Sequence, residues 1–361
     1  MDASPTSLPR TNNFDAMRLL AAFAVIAGHA PLLLGVGTPL RVLGVPVHSL
    51  GVYVFFSMSG YLIATSWMRG PSLPGYLRNR VLRIFPGLAL VTVVTILVLG
   101  PLFTTLDLST YFGAHGTWNY LRNIALRPVF HLPGVFADLP YPSSVNGSLW
   151  TLPVEFACYV AVPLLLVVPA RFRTLTIGAF AILAIAADRL LPGAAVIYGT
   201  SITQGATLVV FFGIGTILAV NARRIPLRLD AALLLLTFQV VFALAVPAEI
   251  SRVSLWVVLP YVVLTICTQS TPVIRRAARF GDASYGLYIY AFPVQQIVRS
   301  VLGPIPIVLD LLVVVIVTTA LAFGSWHLLE KRAMRLKWSN SRSLPDPSEH
   351  PDLSVGAVPR R

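Results

Sequence analysis

The stretch Phe14–Leu34, FDAMRLLAAFAVIAGHAPLLL, sets two ionisable side chains, Arg18 and His29, in a run that is otherwise almost wholly apolar. A bilayer-spanning helix needs about 20 such residues, so the stretch reads as a transmembrane span. At ~100° and ~1.5 Å per residue, Arg18 and His29 return to within ~20° of each other and lie ~16 Å apart along the axis. They therefore share one helix face at two depths, and Asp15 lies near the same stripe. Ionisable groups are costly inside a bilayer and mark candidate functional positions facing a protein interior or a watery cavity. Arg18 alone reads equally as a topology anchor whose head snorkels to the interface. An imidazole ordinarily titrates near neutrality, so His29 reads as a group that can accept and return a proton, the alternative being a hydrogen-bonded packing residue.

The composition agrees with a membrane protein. Of 361 residues, 56% are hydrophobic and 11% charged, where an ordinary soluble domain has about 25% charged residues. Cys158 and Cys267 both fall in apolar runs, which suggests neither a disulfide framework nor a metal site. The net charge of +13 does not indicate a nucleic-acid partner, because the basic residues sit between hydrophobic spans and not on one compact face. The first apolar run is longer than a signal-peptide core and is followed by equally apolar spans, so it reads as retained.

Working outward, further spans are expected near Val47–Trp67, Ile84–Phe103, Ser148–Val168, Leu175–Ala187, Ile202–Val220, Ala231–Val246, Val253–Cys267, Tyr285–Leu302 and Ile305–Leu329. The fold class is thus an all-α polytopic bundle of about ten transmembrane helices. With both termini cytoplasmic, every Lys and Arg falls on the inner side except Arg41, Arg122, Arg127, Arg189, Arg252 and Arg299, as the positive-inside rule requires. The expected layout is a cytoplasmic segment 1–13, a transmembrane domain 14–330 and a cytoplasmic tail 331–361, rich in Pro and Ser from Ser339 and disordered. One long outer segment, 104–147, carries Tyr111, His115, Trp118, His131, Tyr141 and Asn146. These suit stacking and hydrogen bonding to sugars, or an interfacial belt.

Several constellations could carry chemistry. In RNRVLRIFP, Arg80 and Arg83 stand three apart at the inner mouth of the third span, a pairing that suits phosphates, and Arg78 could join them; plain topology anchoring is the alternative. In NGSLWTLPVEF, Glu155 sits ~10 Å inside a span entering from the outer face, and His29 lies ~7 Å from the outer end of its own. Matched depth suggests that the two meet in one cavity as a base with an orienting carboxylate. Pro153 is expected to loosen the backbone and make room there. The ninth span offers Tyr288, Tyr290, Gln295 and Gln296 as hydroxyl and amide groups for substrate, or for bonding neighbouring helices. Trp150 and Asn146 complete the candidate substrate contacts. His327 and Glu330 read as interfacial residues.

Five of these stretches, FDAMRLLAAFAVIAGHA, GVYVFFSMSGYLI, RNRVLRIFP, NGSLWTLPVEF and SYGLYIYAFP, resemble in order the motifs of the membrane acyltransferase-3 family, which moves acetyl or other acyl groups onto bacterial surface saccharides. The resemblance runs from about Asn13 to Glu330. It implies that His29 is the catalytic base, Arg18 an essential partner, Glu155 a buried carboxylate, and Arg80 and Arg83 the pair engaging coenzyme A. The implied enzyme is an O-acyltransferase of the bacterial inner membrane with acetyl-CoA as donor, no metal, and a saccharide acceptor that is lipid-linked or polymeric. Tyr53 and Ala291 stand where many members have Asp and His, which removes a second acid or base. A transporter or flippase of a lipid-linked saccharide is the rival reading, since it too needs a polar path.

Overall fold

A backbone in hydrocarbon has no water to bond, so apolar runs of this length satisfy their N–H and C=O groups internally as helix. The computed structural model describes residues 12–142, 144–191, 195–272, 274 and 281–337. Ten long helices run through them: α1 (Phe14–Leu34), α2 (Val47–Arg69), α3 (Leu73–Phe103), α4 (Gly147–Leu166), α5 (Ala170–Leu190), α6 (Ile202–Val220), α7 (Leu229–Ala245), α8 (Ala248–Thr268), α9 (Ser284–Leu302) and α10 (Ile307–Met334). Eight are long and apolar enough to cross a membrane. Of the other two, α7 is shorter and α9 carries the Tyr and Gln side chains that lower its hydropathy. The chain is a multi-pass all-α membrane bundle. The end bearing segment 104–147 is termed outer.

The spans differ from expectation in ways that matter for the site. α3 begins at Leu73, not Ile84, so Arg78, Arg80 and Arg83 lie within the helix. α10 continues to Met334 through a π-helical turn at Trp326–Glu330. Pro153 does not loosen α4: it falls in the first turn, after a 3-10 stretch at Gly147–Trp150, where a missing N–H is harmless. The expected tail from Ser339, the segment before Asn12, and the inner cations Arg275, Arg276 and Arg279 lie outside the described residues.

Two short β-hairpins, Arg41–Val42 with Val45–Pro46 and Val196–Ile197 with Thr200–Ser201, lead into α2 and α6. These helices cross at Gly60 and Gly215, where an added Cβ would run into the carbonyls of Phe212 and Ser57 respectively. Thr216 Oγ1 donates to the Gly60 carbonyl at 3.3 Å across the same crossing. Close backbone approach through small residues is how helices associate where lipid gives no hydrophobic drive. Segment 104–147 folds over the outer end around its own apolar cluster, with Tyr111 and Tyr120 buried. Those two rings are therefore core, whereas Tyr141 and His131 face a cavity.

Candidate active site

Two cavities approach each other from opposite ends of the bundle. The outer one is about 920 Å³ and takes in His29 of α1, His48 at the start of α2, Tyr141, Trp150 of α4, and Tyr288 and Phe292 of α9. His29 Nδ1 lies 2.8 Å from the Val25 carbonyl one turn earlier. A carbonyl only accepts, so Nδ1 carries a proton, and in the neutral ring Nε2 then keeps its lone pair. The His48 ring stacks on it with centroids 4.6 Å apart, and its own Nδ1 lies 3.2 Å from the Gly28 carbonyl. α1 thus holds both imidazoles in the same tautomer. Gly28 makes this approach possible, because a Cβ there would collide with the His48 backbone. Gln295 Nε2 donates to the Ile26 carbonyl at 3.1 Å, tying α9 to α1 just below His29.

The inner cavity is about 200 Å³ and gathers Arg18, Arg80, Arg83, Glu155, Asp282 and Lys337. Arg83 Nη2 donates to Asp282 Oδ2 at 2.7 Å. Arg18 lies 3.8 Å from the same oxygen and pairs at 3.0 Å with Asp15. Burial alone would raise the Asp282 carboxyl, but Arg83, Arg18 and the Ser284 bonds hold it at about 2. The Arg80 guanidinium sits 5.7 Å from the centroid of Tyr76 and 6.0 Å from that of Tyr159, a cation–π arrangement. Its Nε is buried and has no hydrogen-bond partner among the described residues. Glu155 accepts a bond from Tyr159 one turn on and feels the charges of Arg83 and Arg18. Lys337, just beyond α10, is pushed down to about 8 by partial burial and by Arg80 and Arg83. A buried unpaired guanidinium nitrogen among converging cations suits a polyanionic ligand such as a nucleotide phosphate.

Arg18 and His29 share a face at two depths as expected, each opening into its own cavity. Arg80 and Arg83 meet as expected, but Arg78 is exposed and lines neither cavity, since two positions apart on a helix is nearly the opposite face. His29 and Glu155 do not meet: they line different cavities. Their equal heights were read from rise alone, which leaves the azimuth of α4 free. Trp150 and Tyr288 line the outer cavity; Tyr290, Gln295 and Asn146 do not, and are engaged in bonds between helices. Tyr290 donates to Ser325 Oγ and Ser325 to Glu330, and Asn146 Nδ2 donates to the Ile289 carbonyl. Glu330 is 4% exposed, not interfacial, because the π-helical turn rotates it inward. His48, Asp282 and Lys337 were missed, since charges at span ends ordinarily mark only topology.

Residues 11–327 match the family model described as "Acyltransferase domain". The chain belongs to the acyltransferase-3 family. Among its relatives, the "O-acetyl transferase" of Shigella phage Sf6 is 29% identical, the alignment covering 90% of this chain and 96% of that protein. "Nodulation protein 10" of Rhizobium leguminosarum bv. viciae is 28% identical over 91% of this chain and 94% of its own. No solved structure matches the chain. This acyltransferase-3 member is thus a membrane O-acyltransferase with an imidazole pair in one cavity and clustered cations in another.

Proposed function

We propose that the protein takes a short acyl group, acetyl in the first instance, from acyl-CoA held in the inner cavity and transfers it to a saccharide hydroxyl in the outer cavity. The observation carrying this reading is the division of side chains between the cavities: clustered cations in one, an imidazole whose Nδ1 is tied to its own helix in the other. Arg80 and Arg83 bind the donor's phosphates, with Arg18 and Lys337 adding charge. His29 Nε2 takes the proton of the acceptor hydroxyl as its oxygen bonds to the acyl carbon. The carbon–sulfur bond breaks, and the proton passes from His29 to the departing thiolate. Trp150 and Tyr141 offer faces for a sugar ring. The setting is a bacterial inner membrane with both termini cytoplasmic, and the acceptor is a lipid-linked or polymeric surface saccharide.

Membranes containing the protein should incorporate labelled acetyl groups from acetyl-CoA into their polysaccharide fraction. His29→Ala should reduce this about 10²- to 10⁴-fold, the usual worth of a positioned general base, at undiminished protein level. Saccharide movement without consumption of acetyl-CoA would favour a transporter instead.

A further inference from the structure

The inner and outer linings have two residues in common, Val52 of α2 and Tyr288 of α9. We propose that these two side chains form the constriction through which the acyl group reaches the outer cavity, and that Val52 thereby restricts the group to short chains. The inference rests on the acyl-CoA reading above and adds a determinant of which acyl group is used.

Tyr288 is a fixed wall. Its hydroxyl lies 2.7 Å from Thr151 Oγ1 and donates to the Ser148 carbonyl at 3.1 Å. The edge of Phe55 packs on it with centroids 5.9 Å apart. A ring bonded at its tip and buttressed on its face cannot swing aside without giving up these contacts. Val52, which lines both cavities with it, is a β-branched side chain with one strongly preferred rotamer in a helix, and it is 8% exposed.

The inner chamber behind them runs along α2 from Val52 to Ile63, about 16 Å at the helical rise. It is long and narrow, which suits a linear arm entering with its acyl end foremost. The basic cluster stands toward the other end, so a donor anchored there presents its carbonyl carbon at the constriction. Transfer breaks the carbon–sulfur bond on the inner side and forms the ester bond on the outer side. His29 carries the hydroxyl proton between acceptor oxygen and thiolate. What must fit between Val52 and Tyr288 is therefore the acyl chain itself.

One methylene in an apolar pocket discriminates about 10- to 200-fold. Val52→Ala removes two methyl groups from the constriction and Val52→Ile adds one. The full-length protein in membrane vesicles is given equimolar labelled acetyl-CoA and butyryl-CoA, and both groups are counted in the polysaccharide fraction. Val52→Ala should raise the butyryl-to-acetyl ratio about tenfold or more, and Val52→Ile should lower it. The ratio is internal to each preparation, so partial misfolding lowers both counts and leaves it unmoved. Wild-type transfer of acetyl with an unchanged ratio in both variants overturns the constriction alone. Failure of the wild type to transfer either group overturns the acyl-CoA reading and the constriction together.

Discussion

At the residue scale, Asp282 is the anion on which the inner cations converge. Asp282→Asn leaves Arg83 without its charge-assisted bond, and the loss should be about 1.5–3 kcal/mol. Because the folded carboxyl titrates at about 2 against an ordinary 3.8, its contribution is full above about pH 4 and disappears as the pH falls toward 2. Thermal unfolding of the detergent-solubilised proteins should therefore show a gap at pH 7 that closes in strong acid. Lys337 gives the opposite signature: its ammonium, held at about 8, loses charge as the pH rises. In the proposed complex the donor's phosphates would already be fully ionised there, their last pKa being about 6, with the arginines still charged. Acetyl-CoA affinity measured by titration should weaken from pH 7 to 9, and Lys337→Ala should flatten that profile. Neither residue was legible in the sequence, where an Asp or Lys at a span end is unremarkable. His29, Arg18, Arg80, Arg83 and Glu155 were legible because each is an ionisable group in or beside an apolar run. Tyr290, Gln295 and Asn146 misled for a related reason: inside a bundle, hydroxyls and amides bond neighbouring helices as readily as substrate.

At the scale of elements, apolar run length placed ten helices, with both ends of α1 and α6 at the expected residues, but missed the start of α3 and the end of α10. The start of α3 at Leu73 moves the Arg pair from the mouth of the span to within the helix. The π-helical turn at Trp326–Glu330 departs from the 3.6 period, so no count along the chain predicts that Glu330 points inward. The approach of α1 to α2 is likewise invisible in periodicity, since it depends on one absent side chain. Gly28→Ala forces a methyl group against the His48 backbone, and overpacking of this kind costs about 1–3 kcal/mol. The variant should move the start of α2 and separate the stacked imidazoles. Acetyl incorporation into polysaccharide should fall sharply while acetyl-CoA binding, which uses the other cavity, is retained.

At the scale of the whole molecule, His29 lines one cavity and Glu155 another, and this overturns the pairing of the two that matched depths suggested. The two line different cavities and have no hydrogen-bond partner in common. Glu155 instead stands by Arg18 and Arg83 in the inner cavity. A base and its orienting carboxylate act as one unit, and their losses are strongly non-additive. Groups that share no partner show losses that add as free energies within about 0.5 kcal/mol. His29→Ala should therefore lower kcat and leave the KM for acetyl-CoA within about twofold, whereas Glu155→Gln should raise that KM. In the double variant the two effects on kcat/KM should multiply, measured against the residual rate of His29→Ala in the same membranes. A double variant no worse than His29→Ala would mean that the two side chains work together after all, although they line different cavities.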